Sequence, residues 1–441
     1  MCIRYSYDDP SLGVWARRAT VASTTTNHAL RDDGLAIADA WRDELELGPR
    51  VGAALADLDA GPVDVLAIGK AARAMAAAAR ERLGRRVRRH LVVAPLVPGE
   101  NDDVLVGDHP VPGPASLRAG RAVLDFLDTA PTTGTTLWLV SGGASSLAVV
   151  PAAPLDLGDL ATVWSAGLAA GVDITALNRV RAAISDLAGG VALARVRTPA
   201  SRALLMVDNP VSGARWVASG LTYPSRPRAR AREAALAPFV LPPDVAERVR
   251  AAARARSARW RAASTAHRND VVAAPRDLVG PTARAARQHG YCPIVAPRVT
   301  GDLDAVVEAW TAQLVGLARD PAPQALIGVG ELTLRVAGDG RGGRAQQFAW
   351  DVAGRLASLG RAAVVVARAT DGQDHLPGVA GAWSDEGTWA RARARGFDPD
   401  ALGARRDTYG AHRALGQILA GAPTGWNLCD LYLTLLGPAA R

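Results

Sequence analysis

Lys70 is the single lysine of this chain; the other fifty basic side chains are arginine. A compact, titratable ammonium and a rigid guanidinium fork do different work. An ammonium in Gly69-Lys70-Ala71-Ala72, where the apolar run 63–68 ends, could therefore meet an anion at a helix start. Drift toward arginine that spared one lysine explains the same fact without chemistry. A second loop, Ser141-Gly142-Gly143-Ala144-Ser145-Ser146, follows the apolar run 137–140. Its glycines let the backbone fold around a ligand, successive N–H groups can form a phosphate nest, and the serines add hydroxyls. A serine-capped turn is the plain alternative. The third, Gly338-Asp339-Gly340-Arg341-Gly342-Gly343-Arg344, sets two arginines among glycines ahead of a helical stretch. Arg344 could clamp a phosphoryl group or a carboxylate through two parallel hydrogen bonds, or the segment is an exposed turn. The fourth, Thr370-Asp371-Gly372-Gln373-Asp374-His375, closes the apolar run 363–367. Asp371 and Asp374 could hold Mg²⁺ against phosphates or polarise a hydroxyl, and helix capping accounts for them equally well.

Two polar segments join these loops. His109 lies in Gly107-Asp108-His109-Pro110, at the close of a strand-like stretch. Asn178-Arg179-Val180-Arg181 sits on a helical pattern in which Asn178, Arg181 and Ser185 share a face. Arg181 there suits a substrate carboxylate or a structural salt bridge.

The elements that must position these residues alternate. Apolar runs at 63–68, 87–93, 138–140 and 204–207 each give way to glycine, polar residues or proline and then a helical stretch. The pattern resumes with runs at 269–274, 293–295, 325–327 and 363–367 and helical stretches over 279–289, 302–318 and 344–358. This predicts an α/β fold of two domains, with largely parallel sheets flanked by helices and an interdomain cleft holding the site. The boundaries expected are an N-terminal domain over 1–235, a helical bridge over 236–263 and a C-terminal domain over 264–441.

Composition narrows the function classes. The net charge is +8, yet the arginines are dispersed among acids, and the densest run, 226–232, alternates with alanine and proline. With four Phe and six Tyr and no zinc-finger or RNA-binding signature, a nucleic-acid partner is not expected; an anionic small substrate fits the charge. Cys2, Cys292 and Cys429 make no disulfide framework or metal spacing. The chain opens without a basic-then-apolar signal and has no run long enough for a bilayer, so a cytoplasmic protein with no membrane partner is expected. Walker-A, protein-kinase and dinucleotide GxGxxG patterns are absent.

In their order, these loops resemble the glycerate 2-kinase family, two-domain kinases whose carboxyl-terminal portion is called the MOFRL domain. The matching pieces are Gly69-Lys70-Ala71-Ala72, His109-Pro110-Val111-Pro112, Ser141-Gly142-Gly143 with Ser145, Asn178-Arg179-Val180-Arg181, Gly189-Gly190 and Ser219-Gly220. Gly330-Glu331, Gly340-Arg341-Gly342-Gly343-Arg344, Thr370-Asp371-Gly372 and Pro423-Thr424-Gly425 with Asn427 and Asp430 follow. The resemblance implies transfer of the ATP γ-phosphoryl group to the 2-hydroxyl of D-glycerate with Mg²⁺. It implies Lys70 and Arg344 in catalysis, joined by Asp371. Gly142, Gly143, Ser145, Gly340, Gly342, Gly343 and Glu331 would bind the nucleotide. Lys70, Ser141, Asn178, Arg181 and His109 would bind substrate, and Asp371 and Asp374 the metal. The partners would be a nucleotide and a small molecule, in a monomer or homodimer.

The family pattern is not kept everywhere. Its Lys-Gly-Gly reads Ala188-Gly189-Gly190, and its Arg-Asn-Gln-Glu reads Arg344-Ala345-Gln346-Gln347. A changed charge pattern changes which acceptor can be desolvated and paired. The expectation is a kinase acting on glycerate or a related, larger or less anionic hydroxy acid. Acyl or adenylyl activation or a rearrangement on the same fold, and a non-catalytic ligand-binding role, are the alternatives.

Overall fold

Six short strands pair in parallel into the first sheet: β1 (Val63–Ile68), β2 (Val87–Ala94), β3 (Leu105–Val106), β4 (Thr135–Val140), β5 (Ala200–Met206) and β6 (Ala266–Ala273), in the order β3-β2-β1-β4-β5-β6. The structure is a computed structural model. It describes residues 23–97, 103–170, 172, 174–209, 213–224, 235–259, 265–297, 299–334 and 339–439. Cys2, the run 226–232 and Gly338 lie outside them.

The central strands are mainly apolar because both faces of the sheet are covered. Val63, Val65 and Ala67 enter one core, while Leu66 and Ile68 enter another with Trp138 and Val140. Thr135, Thr136, Ser201 and Arg202 are buried polar residues of β4 and β5, and in β1 Asp64 is fully buried and held by Arg88 at 2.8 and 2.9 Å.

The second sheet contains β7 (Cys292–Val295), β9 (Gln324–Gly330), β11 (Ala363–Ala369), β12 (Val379–Asp385), β13 (Ile418–Ala420) and β14 (Asp430–Leu436), in the order β13-β12-β11-β14-β9-β7. Two short strands, β8 (Gly301–Asp302) and β10 (Leu332–Thr333), pair apart from it. The α/β class and the two sheets agree with expectation, but the second sheet is mixed: only β7 and β9 run parallel. The turn at 370–378 between β11 and β12 is too short for a parallel crossover.

The sheets also do not divide where the composition suggested. The strand expected to open the C-terminal half is β6, which pairs with β5 and completes the first sheet. The stretch expected as a bridge is not a linker. Its helix Pro243–Arg259 packs on helix Ile174–Ile184, sharing a core of Leu160, Val163, Trp164, Leu177, Val180, Val245 and Val249. Arg248 pins this lobe to buried Asp159. Helix Ser23–Asp39, from the expected N-terminal domain, lies against β11 and β14 of the second sheet. Leu30, Ile37 and Ala38 share a core there with Val364, Val366 and Leu433, and Trp41 meets Trp426 edge-on at 6.4 Å. Among the described residues, no helix is long and apolar enough to cross a membrane.

Candidate functional site

The carboxyl ends of β1, β4 and β5 open into a cavity of about 1080 Å³ of empty space, part of it open to solvent. Open α/β sheets place their ligands at this end. The first sheet contributes Lys70 after β1, Gly142, Gly143 and Ser145 after β4, and Asp208 after β5. The second contributes Glu331 after β9, Arg344, Asp371 after β11, and Asn427, Cys429 and Asp430 around the start of β14. Asn178 and Arg181 enter from helix Ile174–Ile184, and His109 stands at the rim. Residues spread over some 360 positions thus face one space.

Each catalytic cation expected from the sequence already has a partner. Lys70 Nζ donates to Asp371 Oδ2 at 2.8 Å. Burial alone would lower its pKa, but the Asp371, Glu331 and Asp208 carboxylates together outweigh burial, so the ammonium stays charged. Arg344 Nη1 donates to Glu331 Oε1 at 2.5 Å, and Nη2 lies 3.4 Å from Asp430. Arg181 differs. It forms no ion pair with a described residue, its Nε is buried without a hydrogen-bond partner, and its guanidinium stacks 4.7 Å from the Trp164 ring. Burial pulls its pKa down to about 9, only partly opposed by Asp208. An anion brought to Arg181 would relieve an uncompensated charge.

Enclosure by the cavity walls, then the Lys70 and Arg181 cations, hold the His109 imidazole below its usual range, so it is neutral at pH 7. It can offer a hydrogen bond there, not a charge. The glycine loop is shaped for close approach. A Cβ on Gly142 would fall 1.8 Å from Asp208 Oδ2, and Gly143 has φ +81°. Lys70 N–H donates to Gly142 O at 2.9 Å, tying the first two loops together. Ser145 Oγ lies 2.7 Å from Ser219 Oγ, which donates to Asn178 Oδ1 at 3.0 Å, so the hydroxyls hold Asn178 in place.

Several expected residues do not reach the cavity. Ser141 is fully buried, and its Oγ accepts from Ala71 N–H at 2.9 Å; it braces the Lys70 loop and cannot touch substrate. Asp374 is buried beneath helix Arg344–Leu356, accepting from Ala345 N–H at 3.1 Å and Gln346 N–H at 2.9 Å. It caps that helix rather than binding metal, because the chain turns at Gly372 and sends the two carboxylates apart. Gly340, Gly342 and Gly343 likewise turn away from the nucleotide role. Gly340 packs on Arg405 and Arg406, Gly342 on Thr408 and Gly343 on Asp374. Arg341 N–H donates to Asp407 at 3.0 Å. Among the described residues of this loop, only Arg344 lines the cavity. Gln347, one of the departures from the family pattern, donates to Asp351 and Gly403 inside the protein. Ala188, another, lines a narrow apolar recess behind Arg181.

Asp374→Ala should therefore cost about 2 kcal/mol of stability, the worth of a buried charged cap, read as a lower denaturant midpoint. The folded fraction should keep its substrate KM values.

Sequence reasoning missed Asp208 and gave no role to Asn427 and Asp430. Asp208 carries the same signal as Lys70, a polar residue just past an apolar strand, but no neighbouring glycine drew attention to it. Burial, then the Glu331 carboxylate, push its pKa up to about 6 against the Lys70 and Arg181 cations. Burial also pushes Asp430 up, partly offset by Arg344.

Two family profiles match this chain: a domain of unknown function (DUF4147) over residues 18–254 and the MOFRL family over residues 324–430. A protein of Agrobacterium vitis provisionally named hydroxypyruvate reductase is 31% identical over 389 residues, covering 85% of this chain and 87% of its own. The D-glycerate 2-kinase of Thermotoga maritima is 28% identical over 396 residues, covering 87% of this chain and 92% of its own. A crystal structure of glycerate kinase from Thermotoga maritima superposes with a TM-score of 0.76 at 26% identity, over 93% of this chain and 100% of its own.

Proposed function

From the premise that this chain belongs to the glycerate 2-kinase family with DUF4147 and MOFRL domains, we propose that it transfers the γ-phosphoryl group of ATP to a hydroxyl of glycerate or a related hydroxy acid. The observation that carries this reading is the shared cavity. Lys70 from one sheet and Arg344 from the other line a single space, and Arg181 stands there with no ion-pair partner among the described residues. Phosphoryl transfer asks for positioning and charge neutralisation more than covalent chemistry. Lys70 and Arg344 supply the positive charge for the moving phosphoryl group. The Gly142-Gly143 turn receives phosphate oxygens, and Arg181 takes the acceptor carboxylate.

Membership of a kinase family implies ATP; magnesium is part of the proposal. Among the described residues no group of three His, Cys, Asp or Glu could hold a metal ion. This suits a magnesium ion that arrives on the nucleotide, which needs only one or two protein carboxylates. Asp371 is the carboxylate we assign to it. When bound, the ion would neutralise charge on the phosphates.

The test is incubation with ATP, Mg²⁺ and a panel of hydroxy acids, with products read by mass spectrometry. A phosphorylated hydroxy acid with ADP supports the reading. No nucleotide turnover with any acceptor removes it, and AMP in place of ADP replaces it with adenylyl chemistry. The reductase name borne by the Agrobacterium relative is checked in parallel by NADH oxidation with hydroxypyruvate. Arg181→Met should raise the acceptor KM about 10- to 100-fold, the loss of one charged hydrogen-bonding partner, with the ATP KM nearly unchanged. Equal loss for both ligands would remove Arg181 from the acceptor site.

A further inference from the structure

We propose that Asp208 is the catalytic base that accepts the proton of the substrate hydroxyl, an inference that rests on the kinase reading above. Four carboxylates of the described residues reach the cavity, and three are engaged. Asp371 receives Lys70 Nζ at 2.8 Å and the Gln373 N–H at 3.0 Å. Glu331 receives Arg344. Asp430 receives the Tyr432 hydroxyl at 3.0 Å and lies 3.4 Å from Arg344. The Asp208 carboxylate takes no hydrogen bond from the side chain of any described residue; the Cys429 thiol donates to its backbone carbonyl instead. A carboxylate whose lone pairs already serve a cation is a poorer base than one that is free.

Its place fits the task. The carboxylate lies against Gly142, so it borders the turn proposed to receive phosphates, with Asn427 alongside. It also feels Arg181, the proposed anchor of the acceptor, together with Lys70 and Glu331. His109, Arg344, Asp371, Cys429 and Asp430 complete the charged and titratable wall.

The step balances without any further reactant. The acceptor O–H bond breaks and its proton passes to a carboxylate oxygen of Asp208. The freed oxygen pair forms the new bond to the γ-phosphorus. The bond from that phosphorus to the β,γ-bridging oxygen breaks, and ADP leaves with that electron pair. The proton then leaves Asp208 through the open side of the cavity. The raised pKa of Asp208 agrees with this, since a base near neutrality matches proton affinity with availability.

The experiment compares wild type, Asp208→Asn and Asp208→Glu as full chains, with ATP, Mg²⁺ and the hydroxy acid the wild type phosphorylates. Asp208→Asn should lower kcat about 10²- to 10³-fold with the ATP KM nearly unchanged. The wild-type kcat/KM should fall as pH drops below about 6, because the base is then protonated. That acid limb should vanish in Asp208→Asn. Asp208→Glu should recover about tenfold or more of the lost rate, with the limb displaced. Melting curves of the variants separate lost chemistry from lost fold. An unchanged kcat in Asp208→Asn, an acid limb that survives it, or a loss cured by raising Mg²⁺ each overturns the base assignment alone. A wild type that phosphorylates no hydroxy acid overturns the kinase reading, and the base with it.

Discussion

Lys70→Met should lower kcat by about 10³-fold or more while the protein stays folded. Among the described residues the ammonium is the one positive group that the strand ends of the first sheet bring to the cavity, directly beyond the end of β1. Its Asp371 partner comes from the second sheet, so the pair spans the site. Removing it leaves developing phosphoryl charge without a counterion and leaves Asp371 repelling the nucleotide. The side chain of Asp371 is 18% exposed, so water can rehydrate it, and the stability loss should be small. Lys70→Arg is the sharper experiment. Every other basic residue of the chain is arginine, so if drift alone explains position 70, the arginine variant should work normally. Head-group geometry argues against that. Lys70 Nζ meets Asp371 Oδ2 at 2.8 Å as a point charge, and the longer, planar fork of arginine would place its charge elsewhere. Steady-state kinetics with circular dichroism on both variants decides it. Full activity in Lys70→Arg would assign the lysine no special chemistry.

The second large effect is expected at Arg344. Arg344→Ala should cut kcat by about 10³-fold and also raise the ATP KM. Arg344 neutralises Glu331 directly and approaches Asp430, so its loss leaves both carboxyl groups without that cation at the far wall of the cavity. Arg344→Lys keeps the charge but gives up the fork, and should recover only part of the loss. On the proposal that Lys70 and Arg344 act on the same phosphoryl group, the double variant should lose less than the product of the two single losses. Strict additivity would mean that the two cations serve separate ligands.

The sequence carried the site further than it carried the fold around it. Lys70, Gly142, Gly143, Ser145 and Asp371 could be picked out because each stands just past an apolar strand, and the carboxyl ends of strands are where such sheets gather ligands. Strand direction was not legible for β11, β12 and β14, because a strand buried on both faces reads the same whichever way a neighbour runs. Nor does the pattern of β6 disclose that its partner is β5 rather than a later strand. Asp371 and Asp374 illustrate the limit at single-residue scale. They are of one type and three positions apart, but the turn between them sends one to the cavity and the other to a helix cap. The glycines at 340, 342 and 343 misled for a similar reason. Close approach demands glycine whether the neighbour is a phosphate or, as here, the protein's own backbone at Gly340 and side chains at Gly342 and Gly343.

The helix Ser23–Asp39 has a consequence for how the chain is made. Its apolar side is covered by β11 and β14, which leave the ribosome long after it does. Through most of translation Leu30 and Ile37 have no sheet to cover them, and the nascent protein must carry that sticky face unprotected or under chaperone care. Synthesis in two pieces cut near residue 264 would deprive both: the early fragment would lack β6, and the late one its covering helix.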